Sequence, residues 1–258
     1  MDHPDSPRLV TALHGPEWVL GVEGSPVEAS IDLFRPGAGT SEHRLEAGRG
    51  HVRFFRWPAR EPEEGEVGLV HRSYYRGGLP GRLVRRRYLW TGLARTRPVR
   101  ELVLAATLHR WGLPVPDAVA ARVHRRGPTW EGDLVTVEVP RSRTLADRIR
   151  EGSAPPQLWA AAGRSVRRLH DAGAWHADLN VRNLLADDAD RIWVIDWDRG
   201  QIRRVRPGWR QSNLLRLRRS LSREPALDAA ARERWSCLME GYMEDGGPSG
   251  PPAPEPVQ

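Results

Sequence analysis

The sequence predicts an α+β fold, in which an N-terminal antiparallel sheet with one helix precedes a C-terminal, mostly helical lobe. Three observations support this prediction. Strand-like segments come first along the chain, helix-like segments come last, and a single helical pattern is inserted among the strands. Strands followed by helices in this order are typical of α+β proteins. With 258 residues the chain can bury one substantial core or two small lobes.

The sheet lobe is predicted from segments rich in β-branched and aromatic residues. The segments 51–57 (HVRFFRW) and 66–75 (EVGLVHRSYY) are separated by the turn-rich PAREPEEG. Two further strands are expected near 118–124 and 133–139. The inserted helix is expected to begin near Pro98 and to end before Gly112, because proline is favoured in the first turn and glycine just past the end.

The helical lobe is predicted from apolar residues that recur at helical intervals. They are Leu158, Ala162, Val166 and Leu169 in one segment, and Leu214, Leu217 and Leu221 in another. The resulting organisation has an N-lobe at 41–140 and a C-lobe at 141–245. The Gly- and Pro-rich residues 1–40 are expected to be loosely ordered, and the composition of 246–258 predicts a disordered tail.

All 40 basic residues of the chain are arginine, and the formal net charge is +7. The absence of lysine excludes a lysine-bearing P-loop. Nine arginines lie between Glu66 and Glu101 without an intervening acid, and nine more lie between Asp198 and Glu224. Such blocks indicate polyanionic partners such as nucleic acid, anionic lipid or phosphorylated glycans, or else a solvated basic face.

Other features of the composition exclude several classes of protein. No apolar run is long enough for a transmembrane helix, and the N-terminus lacks the apolar stretch of a signal peptide. A single cysteine, Cys237, allows neither an internal disulfide nor a cysteine metal cluster. These features fit the reducing cytoplasm.

The stretch WHADLNVRNLL (175–185) contains the residue types that phosphoryl transfer from ATP requires. Asp178 is placed as the base for the accepting hydroxyl, and Asn183, five residues later, as a magnesium ligand, which is the spacing of the kinase H-R-D-x-x-x-x-N loop. The apolar IWVID then ends on Asp196, where a second metal-binding carboxylate is expected. A hairpin between them would bring Asn183 and Asp196 together.

Each of these residues also has an ordinary structural explanation. Asp178 is explained by a turn or a cap, Asn183 by a loop hydrogen bond, and Asp196 by the end of a strand. Their combination, with a helix before and a strand between, favours a phosphotransferase. Ala177 in the loop and Trp197 after Asp196 depart from the protein-kinase pattern, and no A-P-E motif follows, which is typical of kinases that act on small molecules or glycans.

From about Gly48 to Leu221 the sequence resembles the lipopolysaccharide core kinases, which are protein-kinase-like. The resemblance depends on five stretches: HRSYYRGGLPGRLVRRRYLWTGLARTRPVRE, GLPVPDAVAARV, WHADLNVRNLL, VIDWDRG and WRQSNLLRLRRSL. It implies ATP- and Mg²⁺-dependent phosphorylation of a hydroxyl of the 3-deoxy-D-manno-octulosonic acid (Kdo) sugar of Kdo-lipid A. It also implies a peripheral location on the cytoplasmic side of the bacterial inner membrane.

The resemblance also suggests what replaces the missing lysine. Arg72 lies where a nucleotide-binding lysine is expected, and Glu101 on the following helix is its expected partner. We therefore predict that Arg72 contacts the ATP phosphates, with a surface arginine as the alternative. Gly48 and Gly50 are candidates for a turn that covers the phosphates, although paired glycines occur in any turn.

Three further interpretations stay open at this point. The arginine-rich segment 82–100 contains Tyr88, Leu89 and Trp90 and suits an anionic membrane surface, a glycolipid substrate or simple core packing. A soluble aminoglycoside, choline or heptose phosphotransferase is the alternative within the enzymes. A nucleic-acid-binding protein with a degenerate kinase fold is the alternative outside them, but all three base and metal residues are present, so no nucleic acid partner is expected.

Overall fold

The computed structural model describes residues 7–47, 50–74 and 88–244. It divides into two compact units, Met1–Thr107 with Asp117–Glu138, and Leu108–Pro116 with Val139–Gln258. The first is built on an antiparallel sheet and the second is mostly helical, so the predicted α+β class is confirmed. The chain passes for the last time from the first unit to the second between Glu138 and Val139, just before residue 140, the predicted end of the N-lobe.

The sheet of the first unit has eight strands within the described ranges. They are β1 (Leu9–His14), β2 (Glu17–Val22), β3 (Thr40–Ala47), β4 (Gly50–Pro58), β5 (Glu66–Ser73), β6 (Tyr88–Leu89), β7 (Ala118–Arg126) and β8 (Thr129–Val137). Their order across the sheet is β1-β2-β7-β8-β5-β4-β3, and β6 pairs with β8. All of these pairings are antiparallel.

One face of this sheet packs against the segment that follows β2. Val27, Leu33 and Phe34 of that segment are buried in one cluster with Phe55 and Leu69 of the sheet. Leu33 and Phe34 belong to the 3-10 helix Ile31–Phe34, which Ser30 caps by accepting a hydrogen bond from the backbone N–H of Asp32. The apolar cluster therefore holds the N-terminal segment on the sheet.

A cluster of polar side chains around the buried Asp133 spans β5, β7 and β8 on the same face of the sheet. Asp133 of β8 accepts hydrogen bonds from Ser73 Oγ at 2.5 Å and from Arg122 Nη2 at 2.6 Å, and His71 Nε2 lies 3.3 Å from it. Burial acts to raise the pKa of Asp133, but the contacts with His71, Arg122 and Ser73 outweigh it and hold that pKa well below its usual range. The charge of Asp133 is therefore compensated inside the sheet.

The prediction of a loosely ordered segment through residue 40 is wrong for most of that segment. The structure places β1, β2 and the 3-10 helix there, with β2 hydrogen-bonded between β1 and β7. Residues Val19–Val22 of β2 are buried on both faces, so this strand lacks the alternation of apolar and polar residues by which strands are recognised in a sequence.

Helix α1 (Arg97–Arg110) lies between β6 and β7 and is thus inserted among the sheet strands, as predicted. Pro98 lies in its first turn and Gly112, with φ of +68°, lies just past its end, so both predicted boundaries are close to the observed ones. Leu102, Leu104 and Leu108 are buried. The helix thereby places Glu101, which is also buried, among apolar neighbours.

The second unit is made of four helices and five short strands in the described part of the chain. The helices are α2 (Leu145–Arg150), α3 (Pro156–Asp171), α4 (Pro207–Leu221) and α5 (Pro225–Met243). The strands are β9 (Arg143–Thr144), β10 (Ala174–Trp175), β11 (Leu184–Ala186), β12 (Ile192–Val194) and β13 (Gln201–Ile202). They form two small sheets, β12-β11-β9 and β10-β13. The predicted tail at 246–258 lies outside the described residues.

Helices α3 and α5 approach each other at two glycines. A Cβ atom on Gly163 would lie 2.0 Å from the carbonyl oxygen of Leu238, and one on Gly241 would lie 2.1 Å from that of Ala160. No side chain fits at either position, so the two backbones meet directly. None of the helices in the described ranges is both long and apolar enough to span a lipid bilayer.

His170, at the end of α3, is enclosed by aromatic residues of α4 and α5. Its Nδ1 lies 2.9 Å from the hydroxyl of Tyr242, and its ring packs edge-on against Trp209 at 5.0 Å. Burial, together with the positive charge of Arg210, lowers the pKa of His170 from 6.5 to about 3. The histidine is therefore neutral in the folded chain at physiological pH.

This buried histidine predicts a loss of stability on mild acidification. Below its ordinary pKa of 6.5 the unfolded chain binds a proton at His170 that the folded chain excludes. Between about pH 7 and about pH 5 the free energy of unfolding should fall by roughly 2 kcal/mol from this group alone. Urea unfolding at both pH values should show that His170→Gln removes most of this pH dependence. His14→Gln, at an exposed histidine, is the control, and an unchanged slope in His170→Gln contradicts the prediction.

Candidate active site

The loop that contains Asp178 begins at a buried histidine. His176 follows β10, and its Nδ1 accepts a hydrogen bond of 3.1 Å from the backbone N–H of Asp178. Because Nδ1 is an acceptor, the proton of the neutral ring is on Nε2, which lies 3.0 Å from the carbonyl oxygen of Ile195. His176 therefore ties the loop to the chain after β12.

Asp178 projects from this loop into solvent, with 63% of its side chain exposed. Two side-chain amides hold its backbone: Asn180 Nδ2 donates to the carbonyl oxygen of Asp178 at 2.9 Å and Asn183 Nδ2 donates to the same oxygen at 3.0 Å. Asn180 Nδ2 also lies 3.3 Å from the Asp178 carboxylate. The loop is thus rigid at its backbone while the carboxylate is accessible to a substrate.

Asn183 and Asp196 are brought together by the β11–β12 hairpin. Leu184 pairs with Val194 in the ladder, and the backbone N–H of Ile195 donates to the carbonyl oxygen of Asn183 at 3.0 Å. Asp196 follows directly, two residues after the end of β12, with a left-handed φ of +64°. This is the hairpin that the sequence predicted between the two residues.

The turn of this hairpin is held by Asp187. Its carboxylate accepts hydrogen bonds from the backbone N–H groups of Ala189 and Arg191, at 3.0 and 2.9 Å, and from Trp193 Nε1 at 3.1 Å. Burial acts to raise the pKa of Asp187, but the hydrogen bonds from Trp193 and Arg191 outweigh it and the pKa lies below its usual value.

The donor set of Asn183 and Asp196 fits a magnesium ion. The Asn183 amide donates from Nδ2 to the carbonyl oxygen of Asp178, so its Oδ1 is the atom able to bind a cation. Mg²⁺ prefers oxygen ligands and is commonly bound by one or two protein groups together with substrate phosphates. No group of three His, Cys, Asp or Glu side chains suited to a metal occurs within the described ranges.

Helix α4 is pinned to the Asp178 loop at two points. Asn213 makes a reciprocal pair with the buried His176 backbone, accepting from its N–H at 3.2 Å and donating to its carbonyl oxygen at 3.0 Å. Ser220 Oγ accepts from the backbone N–H of Val181 at 3.0 Å. Between these two points Arg216 Nη1 lies 3.6 Å from the Asp178 carboxylate.

In the first unit, Arg72 and Glu101 form an ion pair. Arg72 lies near the end of β5, and its guanidinium donates to the carboxylate of Glu101 on α1. The Tyr74 hydroxyl donates to the other carboxylate oxygen of Glu101. Glu101 is buried, whereas about 29% of the Arg72 side chain is exposed, so the guanidinium is aimed by a fixed partner and also accessible. The structure thus joins the two residues as expected.

The glycine turn is only partly covered by the structure. Gly50 is the first residue of β4, while Gly48 lies outside the described residues. Arg76 and the arginines from 82 to 87 also lie outside the described residues.

Four residues of these sites were not found from the sequence. They are Tyr74, Asn180, Asn213 and Arg216. Asn180 had a local signal, since it lies two residues after Asp178 in the same loop. Asn213 had none, because its partner is 37 residues away in the chain.

The arrangement defines a class of protein. A loop with Asp178 and Asn183 at kinase spacing, a hairpin that brings Asp196 to Asn183, and a strand cation paired with a helix glutamate are the parts of a protein-kinase-like phosphotransferase.

Comparison with known proteins identifies the family within this class. The model of the lipopolysaccharide kinase (Kdo/WaaP) family matches residues 51–242, and the chain belongs to this family. The expected enzyme class, a phosphotransferase with an alcohol group as acceptor, is thereby confirmed at the level of the family, as is a kinase of lipopolysaccharide core biosynthesis.

Individual relatives agree with the family. The chain is similar to the 3-deoxy-D-manno-octulosonic acid kinase of Vibrio cholerae serotype O1, with 39% identity over 59% of this chain and 65% of that protein. It is similar to the kinase of the same name from Stenotrophomonas maltophilia, with 39% identity over 75% of this chain and 76% of that protein. The matched region thus spans just under two thirds of the first relative and about three quarters of the second.

A solved structure of WaaP in complex with acyl carrier protein is also similar. It shares 24% identity over 80% of each chain, with a TM-score of 0.49.

Proposed function

We propose that the chain is an ATP-dependent kinase that phosphorylates a hydroxyl of the Kdo sugar of Kdo-lipid A. The observation that supports this most directly is the hydrogen-bonded linkage of Asp178, Asn183 and the hairpin that leads into Asp196. The names of the relatives support the acceptor, since several of them are 3-deoxy-D-manno-octulosonic acid kinases.

In this proposal Asp178 is the catalytic base. Its exposed carboxylate accepts a hydrogen bond from the acceptor hydroxyl and orients the hydroxyl oxygen toward the γ-phosphoryl group of ATP. It takes up the hydroxyl proton as the new O–P bond forms and the bond from the γ-phosphorus to ADP breaks, and ADP leaves. The amides of Asn180 and Asn183 keep the loop in place during this step. The reaction requires no nucleophile from the protein.

The other residues serve the nucleotide. Asn183 and Asp196 would hold Mg²⁺, which neutralises charge on the phosphates when it is bound. Arg72, about 29% of whose side chain is exposed, contacts the phosphates while Glu101 holds its guanidinium in place. A planar fork with several N–H groups can serve a carboxylate and a phosphate at the same time, which a lysine ammonium does less well.

We also propose that the enzyme works as a peripheral protein on the cytoplasmic face of the inner membrane. Support comes from a surface formed by Leu13, Trp18, Trp90 and Arg125, here called the Trp18–Trp90 surface. Trp18 stacks on Trp90 at 5.3 Å and Arg125 lies over Trp90 at 5.0 Å. Leu13, the β1 partner of Trp18, is 63% exposed. An exposed leucine and half-buried tryptophans beside an arginine suit an anionic headgroup region.

The function is tested by incubating Kdo-lipid A with the protein and MgATP. Mass spectrometry should locate one added phosphate on the Kdo residue, and aminoglycoside, choline and heptose acceptors should gain none.

Asp178→Asn should lower kcat by about 10²- to 10⁴-fold, because the base is lost. Asn183→Ala and Asp196→Asn should raise the Mg²⁺ concentration needed for half-maximal rate. Asp188→Asn, at an exposed aspartate of the hairpin turn, is the control. Phosphate on another acceptor, or full activity in Asp178→Asn, would falsify the proposal.

The nucleotide role of Arg72 predicts a selective defect. Arg72→Gln should raise the KM for ATP by about tenfold or more, since a charge-assisted contact to phosphate is removed. Glu101→Gln should act in the same direction, because Arg72 is no longer aimed. Arg126→Gln, at a more exposed strand arginine paired with Glu131 at 3.5 Å, should leave this constant unchanged. An unaltered KM for ATP and an unaltered kcat in Arg72→Gln rule the assignment out.

The membrane role predicts that binding depends on the Trp18–Trp90 surface. Leu13→Gln should co-sediment several-fold less with liposomes that contain anionic lipid, because apolar area at the headgroups is lost. Val10→Gln is a matched control, since Val10 is equally exposed but points to the opposite face of β1. Equal binding by all three proteins, or no dependence on anionic lipid, contradicts the proposal.

A further inference from the structure

We infer that Arg216 is a binding site for the acidic group of the acceptor, placed beside the hydroxyl that Asp178 activates. This inference rests on the proposed function and goes beyond it, since it names the residue that selects an acidic sugar over a neutral one. Arg216 lies on α4, outside the loop motif, and none of the roles given above requires it.

The position of Arg216 follows from how α4 is attached. Asn213 and Ser220 are buried against the Asp178 loop, at His176 and Val181 respectively. Residue 216 lies three positions after the first anchor and four before the second, so it shares their side of the helix. The two anchors fix the position of α4 along its axis and its rotation about that axis, and Arg216 is therefore held next to Asp178.

The contact between the two side chains is loose. Arg216 Nη1 lies 3.6 Å from Asp178 Oδ1, beyond ordinary hydrogen-bond range, and 46% of the arginine and 63% of the aspartate side chain are exposed. Exposed pairs of this kind contribute little to stability. The guanidinium is consequently available to a second anion without a large cost.

The position of Arg216 points to a ligand other than Asp178. Its guanidinium is held beside the exposed carboxylate at which the acceptor hydroxyl is placed, without a close hydrogen bond to that carboxylate. A cation held there can bind a negative charge on the molecule whose hydroxyl lies at Asp178. The transferred phosphoryl group is the other anion at this point, and the kinetics below distinguish the two.

The acceptor class named by the relatives has such a charge. An octulosonic acid has a carboxylate on the same sugar as its hydroxyl groups. The planar guanidinium binds a carboxylate through two parallel hydrogen bonds. When Arg216 binds this carboxylate, the acceptor is held with a hydroxyl beside Asp178. A neutral hexose offers Arg216 no carboxylate, which gives specificity by a lost contact.

The inference is tested by kinetics with two acceptors and two variants. The acceptors are Kdo-lipid A in detergent micelles and the same glycolipid with its Kdo carboxyl group converted to the methyl ester. Arg216→Gln should raise the KM for native Kdo-lipid A by about tenfold to a hundredfold, while the KM for ATP stays the same. The wild-type protein should lose a similar factor on the methyl ester, and Arg216→Gln should lose nothing further on it. Arg216→Lys should recover part of the loss.

Arg219→Gln is the matched control. Arg219 is an exposed arginine one turn further along α4 whose Nε donates to the carbonyl oxygen of Leu215 within the helix, so its substitution should change neither constant. Losses in Arg216→Gln that are equal for the native and esterified acceptors overturn the inference, as does a raised KM for ATP alone, which assigns Arg216 to the nucleotide. A wild-type protein that transfers no phosphate to Kdo-lipid A overturns the proposed function, and this inference with it.

Discussion

The antiparallel pairing of β11 with β12 is the constraint on which the candidate active site depends. It sets Asn183 opposite Ile195 and so places Asp196 one residue further on, next to the loop that contains Asp178. Side chains alternate along a strand, so a slip by one residue would turn one of the two residues proposed to hold Mg²⁺ to the wrong face. The four hydrogen bonds to Asp187, including that from Arg191 Nε at 2.8 Å, hold the turn and thereby oppose such a slip. The relative position of Asn183 and Asp196 is therefore defined by a local hairpin rather than by distant packing.

The chain contains no lysine, and arginine side chains stabilise the fold of the sheet unit. They bind through several N–H groups of one guanidinium, a geometry that a lysine ammonium does not offer. Arg53 is buried and donates to the carbonyl oxygens of Leu33 and Arg35, which ties the N-terminal segment to β4 through several N–H groups of one fork. Arg122 holds Asp133 in the same way. The Arg72–Glu101 pair uses this geometry at a position where about 29% of the arginine side chain is exposed.

Much of this fold was predictable because its signals are local. Strands β4 and β5 show β-branched and aromatic residues between turns, and α1 has proline and glycine at its ends. The loop at Asp178 was recognised by spacing within a few residues. Strand β2 was missed because burial on both faces removes its alternation.

The remaining parts of the sites depend on contacts that a sequence does not display. Asn213 and Arg216 come to the loop because a helix is anchored there by residues 37 and 39 positions away from their partners. Arg72 and Glu101 were paired only through resemblance to a family, since 29 residues separate them in the chain. Tyr74, which also binds Glu101, looked like an ordinary strand aromatic.

The glycine contact between α3 and α5 has a consequence for how the chain can vary. Because Gly163 meets Leu238 and Gly241 meets Ala160 through backbone atoms, any lengthwise sliding of one helix would drive a side chain into the other. Only one lengthwise alignment of the two helices therefore avoids a clash. Added or lost residues between Asp171 and Pro225 must therefore be absorbed within that stretch, because the alignment of the two helices cannot shift to accommodate them.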